Sequence, residues 1–120
     1  MPGGAVRDAR RAVRSGGGAA EAPTAEAPRT PDSWLALAAS QYEARRYEDS
    51  IRSSERALEL RPAYAEAFND ICAAEIALGN FGSAADACEH ALAIDPSSAP
   101  ARTNLAKARE GRNRRERRDR

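Results

Sequence analysis

The chain has 120 residues, 42% of them hydrophobic but only 5% aromatic, which allows one small domain with tails and excludes a large aromatic core. Its net charge of +1 is the sum of unlike parts: residues 1–30 carry +2, residues 31–106 carry −6 and residues 107–120 carry +5. No apolar run approaches the roughly 20 residues needed to span a bilayer, and no apolar stretch follows the arginines at 7, 10, 11 and 14, so membrane insertion and a secretory signal are both disfavoured and a cytoplasmic location is expected.

Residues 1–30, rich in Gly, Ala, Pro and Arg without hydrophobic period, read as a disordered tail, because ordering them would cost about 1–2 kcal/mol per residue with little burial in return. The composition changes at Thr30, Pro31, Asp32 and Ser33, where a proline and capping residues precede an apolar period. A first helix is predicted from about Ser33 to Ala44, with Trp34, Leu37 and Ala38 on one face. A second is predicted from about Glu48 to Leu60, with Ile51, Ser54, Ala57 and Leu58 inward and Pro62 as the stop.

The plan then repeats. Residues 65–78 are helical by period, with Phe68, Ile71, Cys72 and Glu75 in the register of Trp34, Leu37, Ala38 and Gln41, and Gly79 and Asn80 mark the end. A fourth helix is predicted from about Ala84 to Ile94, with Ala84, Ala87, Cys88, Ala91 and Leu92 inward. After Pro96, a fifth helix capped by Ser97 or Ser98 carries one apolar stripe of Ala101, Leu105 and Ala106, with fraying expected beyond Gly111.

Residues 31–64 laid over 65–98 put Trp34 on Phe68, Leu37 on Ile71, Tyr47 on Phe81, Ser50 on Ala84, Ala57 on Ala91, Leu58 on Leu92, Leu60 on Ile94 and Pro62 on Pro96. Eight matches at one offset of 34 residues mean a repeated structural unit, and such a period points to a stacked array. The pattern of Trp34, Leu37, Ala38, Tyr47, Ala57 and Pro62, then Phe68, Ile71, Gly79, Phe81, Ala84, Ala91 and Pro96, resembles the tetratricopeptide repeat. The expected fold is therefore an all-α solenoid of antiparallel helix pairs, about five helices in all. Its units are a tail (1–30), repeat one (31–64), repeat two (65–98), a capping helix (99–111) and a basic charged tail (112–120). Ser50, Ser54 and Glu75 depart from the family pattern, which bears on the packing density of the first unit and on the shape of the groove.

The resemblance implies a concave groove lined by the first helix of each pair. It assigns Asp32, Leu35, Ala39, Tyr42 and Glu43, then Glu66, Asn69, Asp70, Ala73 and Ile76, then Thr103, Asn104 and Lys107 to that surface, with Asn69 and Asn104 free to bond a peptide backbone. Acids outnumber the single lysine, so a protein or peptide partner with basic and apolar side chains fits the field. Chaperone-binding members grip a terminal carboxylate with Lys, Arg and Asn. The matching slots here hold Leu35, Ala39, Asp70, Pro100 and Asn104, of which only Asn104 suits that task.

Catalytic chemistry has no motif to stand on: there is no phosphate loop, hydrolase elbow or paired carboxylate, so neither cofactor nor metal is expected. Cys72, Cys88 and His90 lack a fourth ligand for zinc, and the cysteines are expected to be reduced, buried small residues. The basic end, interrupted by Glu110, Glu116 and Asp119 and free of aromatics, is disfavoured for nucleic acid, although such a contact stands as a lesser alternative. That end could instead touch the acidic repeats of a second copy. The leading reading is a non-catalytic interaction module; the alternative is a module of a larger bacterial enzyme, such as a membrane glycosyltransferase. Two complete units are fewer than the three that usually make an independent array, so the fifth helix or self-association must cover the open end.

Overall fold

The computed structural model describes residues 27–120, and the predicted tail at residues 1–26 lies outside the described residues. Five helices follow one another: α1 (Pro31–Glu43), α2 (Tyr47–Leu60), α3 (Ala65–Leu78), α4 (Phe81–Ile94) and α5 (Ala99–Asp119). Each helix packs on the next, while α3 also packs on α1 and α5. The odd-numbered helices therefore form one layer and the even-numbered helices the other.

The start of α1 is fixed by its own sequence. Thr30 Oγ1 accepts the backbone N–H of Ser33 at 3.0 Å and Ser33 Oγ accepts that of Thr30 at 2.9 Å, while Pro31 occupies a position where its missing N–H costs nothing. Both hairpin turns use a left-handed residue at the same place in the repeat: Arg45 with φ 64° in the first and Gly79 with φ 81° in the second. Glycine adopts this conformation freely, whereas an L side chain there costs roughly 1–2 kcal/mol, so the first turn is the more strained of the two. α2 begins on Arg46, which makes no side-chain cap; instead Asp49 in the first turn pairs with Arg46 at 2.7 Å and also with Arg52. Its carboxylate complements the positive end of the helix dipole.

α4 begins at Phe81, three residues before the predicted Ala84, because Gly82 and Ser83 sit in a first turn that Ala84 closes through its N–H to the Asn80 carbonyl at 2.9 Å. α5 starts on Ser98, whose Oγ accepts the Ala101 N–H at 3.2 Å. It does not fray after Gly111 but continues to Asp119. Gly111 is a notch and not a stop: a Cβ there would fall 2.6 Å from Phe81 Cζ, so only glycine lets the helix lie against that ring. Arg115, one turn on, stacks over the Phe81 ring, 5.1 Å from its centroid.

The core is narrow and built mainly from small residues, which lets helix axes approach closely. One cluster gathers Leu35, Ala38, Ala57 and Ala67, flanked by Trp34, Leu58 and Tyr64. The other gathers Cys72, Ala84, Ala85, Ala87, Cys88, Leu105 and Ala108, flanked by Ile71, Ile76 and Leu92. Three sequence expectations are corrected by these clusters. In α1 the buried stripe is Leu35, Ala38 and Gln41, with Trp34 and Leu37 only half-buried. In α5 it is Ala101, Leu105, Ala108 and Gly111, with Ala106 exposed, because the true stripe follows a spacing of three and four residues across Gly111. Finally, Cys72 and Cys88 are not separate thiols: they form a disulfide that ties α3 to α4, with Cα atoms 5.5 Å apart and both residues fully buried.

The inner face of α2 is also rotated from expectation. Ser50, Ser53, Ser54 and Ala57 are buried, and Ile51 and Leu58 are half-buried. Ser50 Oγ donates to the Ala38 carbonyl at 2.9 Å and Ser53 Oγ donates to Gln41 Oε1 at 2.6 Å, so two hydroxyls find partners on α1. Ser54 Oγ is buried without one. An unmet buried hydroxyl costs about 1–3 kcal/mol, and this is the physical content of a looser first unit.

Candidate functional site

A cavity of about 280 Å³ opens on the layer of odd-numbered helices and is lined by Ala38, Ala39, Tyr42, Glu43, Ser50, Asp70, Ala73 and Asn104. Three successive odd helices thus contribute to one hollow. Alanines form its apolar surface. Tyr42, 38% exposed, supplies an aromatic wall and is steadied by an edge-on contact with Tyr47 at 5.3 Å between centroids.

Asp70 is the chemically distinctive group. It is half-buried, and among the described residues no hydrogen bond or ion pair holds its carboxylate. Burial, with the nearby Glu66 charge adding to it, pushes its pKa up to about 6. Glu43 lines the same hollow from α1. The site therefore concentrates negative charge that the protein itself leaves uncompensated, beside alanine and tyrosine surface that can accept the methylenes of a long side chain.

Of the residues assigned from the repeat pattern, Ala39, Tyr42, Glu43, Asp70, Ala73 and Asn104 meet around this hollow. Glu66, Thr103 and Lys107 are exposed on the same helices, outside its lining. Leu35 is 8% exposed and belongs to the core, and Ile76 packs against the second core cluster. Asp32 is turned to another task. Its carboxylate accepts from Tyr64 Oη at 2.6 Å and from Arg61 Nη1 at 3.3 Å, and Arg61 stacks 4.5 Å from the Tyr64 centroid. The Tyr64 hydrogen bond, with Arg61 assisting, holds the Asp32 carboxyl below its usual range, while burial and Asp32 push the Tyr64 phenol up to about 12. Asn69 and Asn104 do not stand free: Asn104 Nδ2 donates to Asn69 Oδ1 at 2.9 Å, which locks α5 to α3 at the edge of the hollow.

Two lining residues, Ala38 and Ser50, escaped the sequence assignment. Ala38 lies on the core stripe, yet its small side chain leaves the hollow open above it; Ser50 sits on an even helix and reaches the hollow through its bond to Ala38. A serine where the second repeat has Ala84 was the available signal.

Elsewhere, His90 lies on α4, exposed, stacked on Phe68 at 5.0 Å and donating from Nδ1 to the Asp86 carbonyl at 2.9 Å. Among the described residues no group of three or more His, Cys, Asp or Glu side chains is arranged to hold a metal ion, and no helix is long and apolar enough to cross a membrane.

Comparison with known proteins agrees with this architecture. No protein-family profile matches the chain. Over 64 residues it is 39% identical to the Hsp70-Hsp90 organizing protein of Triticum aestivum, a match covering 53% of this chain and 11% of that protein's length. The first TPR domain of human RPAP3 superposes with a TM-score of 0.70 at 20% identity, covering 73% of this chain and 69% of that one. The second TPR domain of human RPAP3, solved with the HSP70 peptide SGPTIEEVD, gives 0.65 at 24% identity and 67% coverage of both chains, and the Arabidopsis OM64 TPR domain gives 0.68 at 23%, covering 70% and 69%. At these identities the solved structures speak to fold. Together with the 34-residue period and the five-helix stack, they show that this chain is a tetratricopeptide-repeat protein in fold, two full repeats closed by a C-terminal helix.

Proposed function

We propose that this chain is a non-catalytic protein-interaction module that holds a peptide or helix with basic and apolar side chains in the hollow along α1, α3 and α5. The observation that carries the reading is the unpartnered Asp70 carboxylate in a hollow walled by Ala39, Ala73, Tyr42 and Glu43. A half-buried acid without a partner weakens the folded state, so its presence in a hollow favours a cationic ligand over a purely structural role.

The second TPR domain of human RPAP3 was solved in complex with the HSP70 peptide SGPTIEEVD, which ends in Glu-Glu-Val-Asp. An acidic end of that kind would meet Asp70, Glu66 and Glu43 here, with Lys107 the one basic residue among the assigned groove positions. Like charges brought together in a desolvated hollow cost affinity, so the specificity of this chain is for the opposite sign of ligand.

Fluorescence anisotropy with a labelled peptide of alternating Arg and Leu, against SGPTIEEVD as the acidic control, tests this. The basic peptide is expected to bind at least about tenfold more tightly and to lose most of that advantage with Asp70→Asn, a change on the scale of one charge-assisted contact. Equal binding of both peptides, or preference for the acidic one, would sink the proposal.

A further inference from the structure

The two ends of α5 differ in chemistry. Near its start Asn104 lines the hollow; near its end Arg112, Arg117, Arg118 and Arg120 are exposed, and among the described residues none of their guanidinium groups makes an ion pair. Other basic groups of the helix are already engaged: Arg109 with Glu89 at 3.2 Å, Arg114 with Glu110 at 3.3 Å, and Arg115 over Phe81. One chain thus carries both an uncompensated acidic hollow and an uncompensated arginine cluster.

The chain cannot join them by itself. α5 is continuous from Ala99 to Asp119, and at 1.5 Å per residue Arg118 lies about 21 Å along the axis from Asn104. A rigid helix holds its end away from the hollow its own start helps to form. Gly111 and Arg115, packed on Phe81, fix the direction of that end.

We infer that the occupant of the Asp70 hollow is the arginine-rich end of α5 from a second copy of this chain, so that copies associate head to tail. The inference rests on the groove reading above and names its partner. The α5 end would present Arg117 or Arg118 to Asp70 and Glu43, with the alkyl stem over Ala39, Ala73 and Tyr42. Because the two contacting surfaces differ, copies either exchange helix ends reciprocally in a closed pair or link one to the next into a larger ring or an open chain. A foreign basic peptide would compete for the same hollow, so assembly and partner binding would exclude one another.

Sedimentation velocity on the full chain, after nuclease treatment, tests this. Wild type is expected to form concentration-dependent oligomers that weaken at least about tenfold from low to high salt, since exposed arginines take part. Two variants each lose one half of the contact: Asp70→Asn, and the triple change Arg117→Glu, Arg118→Glu and Arg120→Glu, placed at exposed positions that carry none of the core. Each alone is expected to be monomeric. Mixed, they are expected to form a dimer that stops at two copies, because only one intact hollow and one intact helix end remain. A wild type that stays monomeric at its highest soluble concentration overturns the inference. So does association removed by nuclease, or a mixture that stays monomeric.

The triple variant also separates this inference from the groove reading. If it binds the Arg-Leu peptide through Asp70 while wild type does not self-associate, the groove reading stands and the second copy is excluded. If neither occurs, both fall.

Discussion

Replacing Asp70 with asparagine should make the protein more stable at neutral pH while weakening binding. The folded state raises the Asp70 pKa from 3.8 to about 6, chiefly by burial and secondarily through Glu66. A raised carboxyl pKa means that folding favours the protonated form, so the group's contribution to stability is fully present below pH 3.8 and is lost as pH rises through 6. At about 1.4 kcal/mol per unit the gap sets a ceiling near ~3 kcal/mol. Asp70 is only half-buried, and solvent screening reduces this to about 1–2 kcal/mol. Asparagine keeps the shape and removes the charge. Urea unfolding followed by circular dichroism, with the disulfide intact, should show an unfolding free energy raised by that amount at pH 8, read as a higher midpoint at unchanged slope, and no difference below pH 4. A variant that is neutral or destabilised at pH 8, or equally stabilised at both pH values, would refute the account of an uncompensated carboxylate.

Reducing the Cys72–Cys88 bond, which joins residues 16 apart, should cost about 3 kcal/mol by the loop-entropy estimate, read as a lower urea midpoint in reductant; free thiols in the unreduced protein would contradict the pairing. Gly111→Ala inserts a methyl group into the Phe81 ring contact, so the roughly 1 kcal/mol gained in helix propensity should be outweighed by an overpacking cost of about 1–3 kcal/mol. The melting temperature should fall by a few degrees, and a rise would mean that Phe81 moves aside freely.

The arrangement of core and hollow explains why a functional reading is available at all in so small a protein. With alanines, serines and a disulfide predominating between the layers, the helices pack with few large side chains in the core, Leu35 and Leu105 among them. The few large residues are left at the edges, where Tyr42, Trp34 and Phe81 meet tyrosine, arginine or glycine partners. Small residues on the odd helices keep the concave side open, and Asp70 stands in that opening.

The class of fold is written locally in the chain. A 34-residue period with matched apolar, small and proline positions specifies a helical hairpin and its copy, and the signals at Thr30, Pro31, Gly79 and Ser98 specify where helices begin and end. These are local properties, set by capping geometry and by which backbone conformations each residue tolerates. Other features depend on neighbours distant in the chain. Gly111 reads locally as a helix end but is a notch for Phe81, and Cys72 and Cys88 read as separate buried thiols but lie close enough to join. Asn69 and Asn104 read as free amides but satisfy each other. Leu35 and Asp32 are drawn from the expected groove by Ala57 and Ala67 in one case and by Tyr64 and Arg61 in the other. A helical period fixes the face on which a side chain lies, while the partner that meets it is fixed by the packing of one helix against another.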